Sequence, residues 1–201
     1  LYYFNIRGMV EPLRMMLIDN CVPFVNIMIP RDEKWEEIKK QFTFAQVFFL
    51  IDGEFEIPRS GAITRHLARK LNLGGSSDRE KTFAEFFTDG VKDLHQQYAN
   101  IIYREYEKRD DFIANTYPGL WARIDKLFRT HAYGEKYVLG ERISYADYVL
   151  FENVDVALVF SPSTIDSFPA LKAFHKRFGQ RSNLKEYLAT RTTPINYNGR
   201  Q

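Results

Sequence analysis

The sequence predicts a small α/β unit followed by an all-α one. Three observations carry this. Over the first seventy residues, short β-branched or aromatic runs alternate with helical periodicity. From Ser77 onward only the helical period persists. Between them lies Leu73-Gly74-Gly75-Ser76-Ser77-Asp78, the one clear linker of the sequence. The expected boundaries are residues 1–73 for the first unit and 79–201 for the second.

Each element has a local reason. Leu1 to Ile6 is short, aromatic and apolar, and reads as a strand. Arg7-Gly8 breaks it. Pro12 suits the first turn of a helix, and Val10, Leu13, Met16 and Leu17 mark one helical face to about Asn20. Pro23 to Ile29 reads as a second strand. Val47–Ile51 and Glu54–Ile57 flank Asp52-Gly53, a strong hairpin signal. Ser60 is expected to cap a helix carrying Ile63, Leu67 and Leu71. Strand–helix–strand followed by hairpin–helix fits a small mixed sheet with helices packed on it. Beyond the linker, Ser77 with Glu80 forms a capping box. Phe83, Phe86, Phe87, Val91, Leu94, Tyr98, Ile101 and Ile102 then keep one stripe, so this helix is long. Further helices are expected from Pro118, from Ser144 with Asp147 as a second box, from Pro169 and from about Asn183.

Composition narrows the function. At 201 residues, 45% apolar and 27% charged, the chain matches a globular protein and not a disordered or fibrous one. A net charge of +2 disfavours a nucleic-acid module, which usually carries a clustered basic face. Lys172, Lys176, Arg177 and Arg181 recur on one helix, and a solvated face explains them. No apolar run approaches the roughly 18 to 20 residues that span a bilayer, so no membrane segment is expected. No signal peptide is visible, and the cytoplasm is the expected compartment. The single Cys21 excludes an internal disulfide; at a helix end it reads as a packed, inert thiol. His66, His95, His131 and His175 are scattered without metal-ligand spacing, so no metal is expected. No phosphate-binding glycine loop or nucleophile elbow occurs.

Three turns are informative. Tyr3-Phe4-Asn5-Ile6-Arg7-Gly8 puts a tyrosine at the end of strand one. Phe42 to Phe48 leads into the hairpin. Ile57-Pro58-Arg59-Ser60-Gly61 leads into a helix, whose free N–H groups and dipole make an anion site. Converging on one side of the sheet, they would form a cleft suited to an acidic, peptide-like ligand.

Several motifs together give a resemblance. They are Tyr-Phe-x-x-Arg-Gly at 3–8, Glu-Pro-x-Arg at 11–14, Ser-Gly-Ala-Ile-x-Arg-His-Leu-Ala-Arg at 60–69 and Asp-Gly-Val-x-Asp-Leu-His at 89–95. Ile-Ser-Tyr-Ala-Asp-Tyr at 143–148, Phe-Pro-Ala-Leu-Lys-Ala-Phe at 168–174 and the tail Pro194 to Gln201 complete the set. The sequence resembles the cytosolic glutathione S-transferases, close to the pi-like class found in nematodes. The resemblance implies a thioredoxin-like N-terminal domain, an all-α C-terminal domain and a cytoplasmic homodimer. It implies a detoxifying enzyme that conjugates glutathione, its co-substrate, to hydrophobic electrophiles. By the same resemblance Tyr3 hydrogen-bonds the glutathione sulfur, and Ser60 holds the γ-glutamyl carboxylate. Trp35 and Lys39 contact the glycyl carboxylate, and Gln46 and Val47 contact the cysteinyl unit. Asp93 reaches the glutathione of the neighbouring subunit. Tyr103 walls the electrophile pocket, and Phe44 is the aromatic key that inserts into the neighbouring subunit.

The sequence departs from this pattern inside the cleft. Phe48 stands where the family has a proline with a cis bond, a geometry that costs about 2.5 to 4 kcal/mol before any other residue. Arg59 stands where the family has glutamine, and it can still pair a carboxylate bidentately. Ala45 replaces the usual glycine. These changes raise a second reading, a weakened transferase-fold dimer serving as a non-enzymatic carrier or structural protein.

Overall fold

The computed structural model describes residues 1–30, 32, 35, 37, 39–41, 49–131 and 136–200. Four short strands form one mixed sheet: β1 (Tyr2–Phe4), β2 (Ile27–Ile29), β3 (Phe49–Asp52) and β4 (Phe55–Pro58), in the order β2-β1-β3-β4. β1 and β2 are parallel and joined through helix α1 (Glu11–Asp19); the other pairs are antiparallel. Helix α2 (Ser60–Lys70) follows β4.

The strands are shorter than their apolar runs. Ile6 N–H turns back onto the Phe4 carbonyl (2.7 Å), which ends β1 before Ile6. Pro23 has no N–H to offer a ladder, and pairing begins only at Ile27. The hairpin is displaced by one residue from expectation. Asp52 pairs with Phe55, so the loop is Gly53-Glu54, with φ +64° at Gly53. A glycine at the first loop position supplies the backbone this two-residue turn needs. Asp52 is held in the strand by Lys70 and His66 of α2, each at 2.7 Å.

Two expectations for the sheet unit are corrected. Ser60 is the first helical residue, and Arg59 is the N-cap, because the Arg59 carbonyl accepts the first intrahelical bond from Ile63 N–H (3.0 Å). Cys21 is exposed and not packed, since its φ of +53° turns the chain out at the end of α1, where Asn183 Nδ2 lies 3.4 Å from its sulfur.

The remainder is helical. Helix α3 (Asp78–Tyr103) is followed by a short helical turn at Arg109–Asp111, a π turn at Phe112–Thr116 and α4 (Tyr117–His131). Helices α5 (Tyr145–Phe160), α6 (Pro169–Phe178) and α7 (Lys185–Thr190) complete the order. The π turn explains why helix begins before Pro118. Its five-residue spacing aligns Phe112 with Tyr117, so both rings enter the core 5.2 Å apart. Ser77 Oγ accepts from Glu80 N–H (3.2 Å), but the Glu80 carboxylate reaches Ser76 instead of closing the box on Ser77. The box at Ser144 and Asp147 is complete, and Asp147 also accepts from Val138 N–H (2.7 Å). The α3 stripe is buried except for Phe86, which is 46% exposed and packs edge-on against Phe83. α5 is buried on nearly every face and packs against α1, α3 and α6, making it the centre of the helical core. Among the described residues no helix is long and apolar enough to cross a membrane, and no cluster of three or more His, Cys, Asp or Glu is arranged to hold a metal.

Candidate functional site

The sheet register places the informative turns together. Pro58 pairs with Phe49, Phe49 with Tyr2, and Phe4 with Ile29. The ends of β1, β2 and β4 and the start of β3 therefore share one edge. Tyr3, the segment after Ile29 that leads to Trp35, and Arg59-Ser60 all leave the sheet there.

Tyr3 is seated by its own turn. Gly8 has φ +43°, and a Cβ there would lie 2.7 Å from the Tyr3 hydroxyl. Only glycine allows so close an approach in that conformation. The Met9 N–H donates to the Tyr3 oxygen. Burial raises the Tyr3 pKa above its ordinary value, so the phenol stays protonated and able to donate. Tyr3 lines a cavity of about 310 Å³ together with Met9, His95, Tyr103, Ile195 and Tyr197. His95 is half-buried, with Nδ1 2.9 Å from Asn153 Oδ1, and burial holds its pKa below the usual value.

The other expected site residues are distributed as follows. Trp35 packs edge-on against Phe4, ring centroids 5.9 Å apart, and Phe4 lies 5.9 Å from Tyr3, so Trp35 borders the same edge. Lys39 is half-buried in a 3-10 turn at Lys39–Gln41. Ser60 is half-buried at the start of α2. Arg59 is exposed and has φ +72°, ψ +125°. That region is unfavourable for a side-chain-bearing residue by about 1–3 kcal/mol, a strain held where the chain leaves β4 for α2. Asp93 is exposed on α3 and does not line the cavity. Phe44, Ala45, Gln46, Val47 and Phe48, with the Val47–Phe48 bond, lie outside the described residues.

Several residues that order the site were given no role by the sequence, although Arg7, Glu11 and Arg14 belong to its motifs. Arg7 donates to both carboxylate oxygens of Glu152 (2.9 and 3.0 Å) and to Asp155 (2.7 Å). Arg191 donates to Glu11 (3.1 Å), Glu152 (3.3 Å) and Asp155. Glu11 also takes Arg14 (2.9 Å) and the Tyr187 hydroxyl (2.7 Å). Burial opposes charge on Asp155, but the His175 hydrogen bond and the Arg7 and Arg191 charges outweigh it and hold its carboxyl well below the usual range. This buried cluster fixes Arg7-Gly8, and through Gly8 the Tyr3 hydroxyl. Its sequence signal was available: Glu152 and Asp155 stand three residues apart in a largely apolar helix. The tail adds a second clamp, because Arg7 N–H donates to the Pro194 carbonyl (2.8 Å).

A small β-α-β, β-β-α sheet unit against an all-helical unit, with a donor tyrosine where they meet, defines the thioredoxin-like plus helical fold of the glutathione transferases. Residues 92–191 match the family model described as the glutathione S-transferase C-terminal domain. Over its full length the chain is 44% identical to a glutathione S-transferase of Dirofilaria immitis and 46% to glutathione S-transferase P of Caenorhabditis elegans, covering 98% of each. The solved structure of the Onchocerca volvulus pi-class glutathione S-transferase superposes with a TM-score of 0.96 at 45% identity, over 99% of this chain and 97% of that one. The chain belongs to the glutathione S-transferase family, in its pi class.

Proposed function

We propose that this protein is a glutathione transferase, joining the glutathione thiolate to hydrophobic electrophiles in cytoplasmic detoxification. The observation that carries this is the Tyr3 hydroxyl, protonated and seated on Gly8 and Met9, at the wall of a largely apolar cavity. A thiol with a pKa near 8.5 is only a few per cent ionised at pH 7. A hydroxyl donating to sulfur favours the anion, and each tenfold gain in thiolate corresponds to about 1.4 kcal/mol. Residues 1–73 would hold the tripeptide. Trp35 and Lys39 would take one carboxylate, Arg59 and Ser60 the other, and Gln46 and Val47 the cysteinyl backbone. Residues 79–201 would supply the electrophile wall at Tyr103. In a homodimer, Phe44 would key the subunits together and Asp93 would reach the neighbouring glutathione.

The test is Tyr3→Phe. Turnover of a model electrophile is expected to fall at least tenfold, with calorimetric glutathione affinity within twofold of wild type. Unchanged turnover would remove Tyr3 from the mechanism. The non-catalytic carrier reading gains no observation from the described residues, because Arg59 keeps the N-cap place in the main chain.

A further inference from the structure

Tyr103, the expected electrophile wall, is already engaged. Its ring stacks on Tyr197, with centroids 4.5 Å apart and planes at 7°. Its hydroxyl donates to Asn196 Oδ1 (3.0 Å) and accepts from the Tyr197 main-chain N–H. Asn196 is buried, and its Nδ2 donates to the Tyr98 hydroxyl (2.7 Å) and the Arg200 carbonyl (2.9 Å). Asn198 Nδ2 donates to the Ile102 carbonyl (3.1 Å), and the Arg200 guanidinium lies over the Tyr106 ring at 4.8 Å. The tail is thus riveted to the end of α3, independently of the Tyr197 side chain.

This arrangement leaves Tyr103 with little to give an electrophile. One ring face is covered, and its hydroxyl both donates and accepts within the tail. Burial also pushes its pKa up to about 12, which keeps the phenol neutral. Tyr197 is half exposed and lines the same cavity as Tyr3. Its ring lies flat on that of Tyr103, and both residues line this cavity.

Resting on the transferase reading above, we propose that Tyr197 is a specificity-determining residue. It extends the Tyr103 wall by a second stacked ring and selects planar aromatic electrophiles over flexible aliphatic ones. An aromatic pair adds about 0.5–1.5 kcal/mol beyond area burial, which corresponds to roughly two- to tenfold in rate or affinity. A flexible chain cannot present a plane to the stack and gains little from it.

The experiment compares kcat/KM for 1-chloro-2,4-dinitrobenzene, a planar nitroaromatic, and 4-hydroxynon-2-enal, a flexible enal. In Tyr197→Ala the nitroaromatic value is expected to fall roughly three- to tenfold, with the enal within about twofold of wild type. Tyr197→Phe keeps the ring and is expected to match wild type with both. An equal loss with both electrophiles, or no loss with either, overturns the proposal. A wild-type chain that turns over neither defeats the transferase reading instead. Calorimetry then decides the wall on its own. A lost preference for S-(2,4-dinitrophenyl)glutathione over S-methylglutathione in Tyr197→Ala supports the proposal, and a preference absent from wild type or unchanged in the variant overturns it.

Discussion

The strands of the sheet unit are three or four residues long, whereas α3 runs for 26 residues and α5 for 16. The sheet unit also leaves Val25, Met28, Ile51 and Phe55 substantially exposed, while α5 is enclosed on nearly every side. Yet Tyr3 sits on the slighter of the two. The sheet unit holds its site geometry by being tied to the helical one. One tie is the ionic cluster of Arg7, Glu11, Arg14, Glu152, Asp155 and Arg191. A second is Asp19, which takes the Tyr148 hydroxyl and Arg181, each at 2.6 Å. The helical unit acts as a base, and the Tyr3 turn is held in place through its ties to that base.

The largest expected effect comes from cutting the first tie on the helical side. Glu152→Ala leaves Arg7 and Arg191 short of a buried partner, which costs about 3–5 kcal/mol. Urea unfolding reads this, and a loss under about 1 kcal/mol would show that the sheet unit stands without the tie. A smaller effect is expected within the sheet unit. Gly8→Ala places a side chain at positive φ against the Tyr3 hydroxyl, which costs about 1–3 kcal/mol and lowers turnover through a displaced Tyr3. Normal stability with normal turnover would separate Tyr3 from its seat. The smallest effect is at the linker. The Ser76 hydroxyl and N–H, helped by Arg142, hold the Glu80 carboxyl at about 2. A depressed folded-state pKa contributes stability that is present above the unfolded value near 4.5 and lost as pH falls toward 2. Being partly solvated, it amounts to less than about 1 kcal/mol. Glu80→Gln should remove that loss between pH 4.5 and 2 and change little at pH 7; an unaltered acid slope would assign it to other carboxylates.

The sequence marked elements whose signals are local. Ser144 with Asp147, Pro169, the α3 stripe and the linker all follow from caps and period. It overran the strands, because Tyr2 to Ile6 and Pro23 to Ile29 are apolar enough for β structure while the turn at Phe4–Ile6 and the missing Pro23 N–H are decided by backbone bonding. Phe86 fits the stripe by spacing but falls at its margin, where it packs on Phe83 and half faces solvent. For the candidate site, the resemblance leads to the expectation that Tyr3, Trp35 and Ser60 share a cleft, and the sheet register brings them to one edge. Arg7, Arg191 and Asn196 were not legible as site-forming residues. Arg7 meets Glu152, Asn196 meets Tyr103 and Arg191 meets Glu11 across 145, 93 and 180 positions, and no local pattern encodes a pairing at that distance.

The cavity has one consequence in time. Besides His95, Tyr103 and Val156 of α3 and α5, its walls take residues 3–9 and 195–197, two stretches far apart in the sequence. A ribosome adding about 5–20 residues per second takes roughly 10 to 40 s to travel between them. Through that interval the nascent chain carries the Tyr3 turn with no tail against Arg7 and no ring against Tyr103. The pocket wall is therefore complete only once synthesis has passed Tyr197.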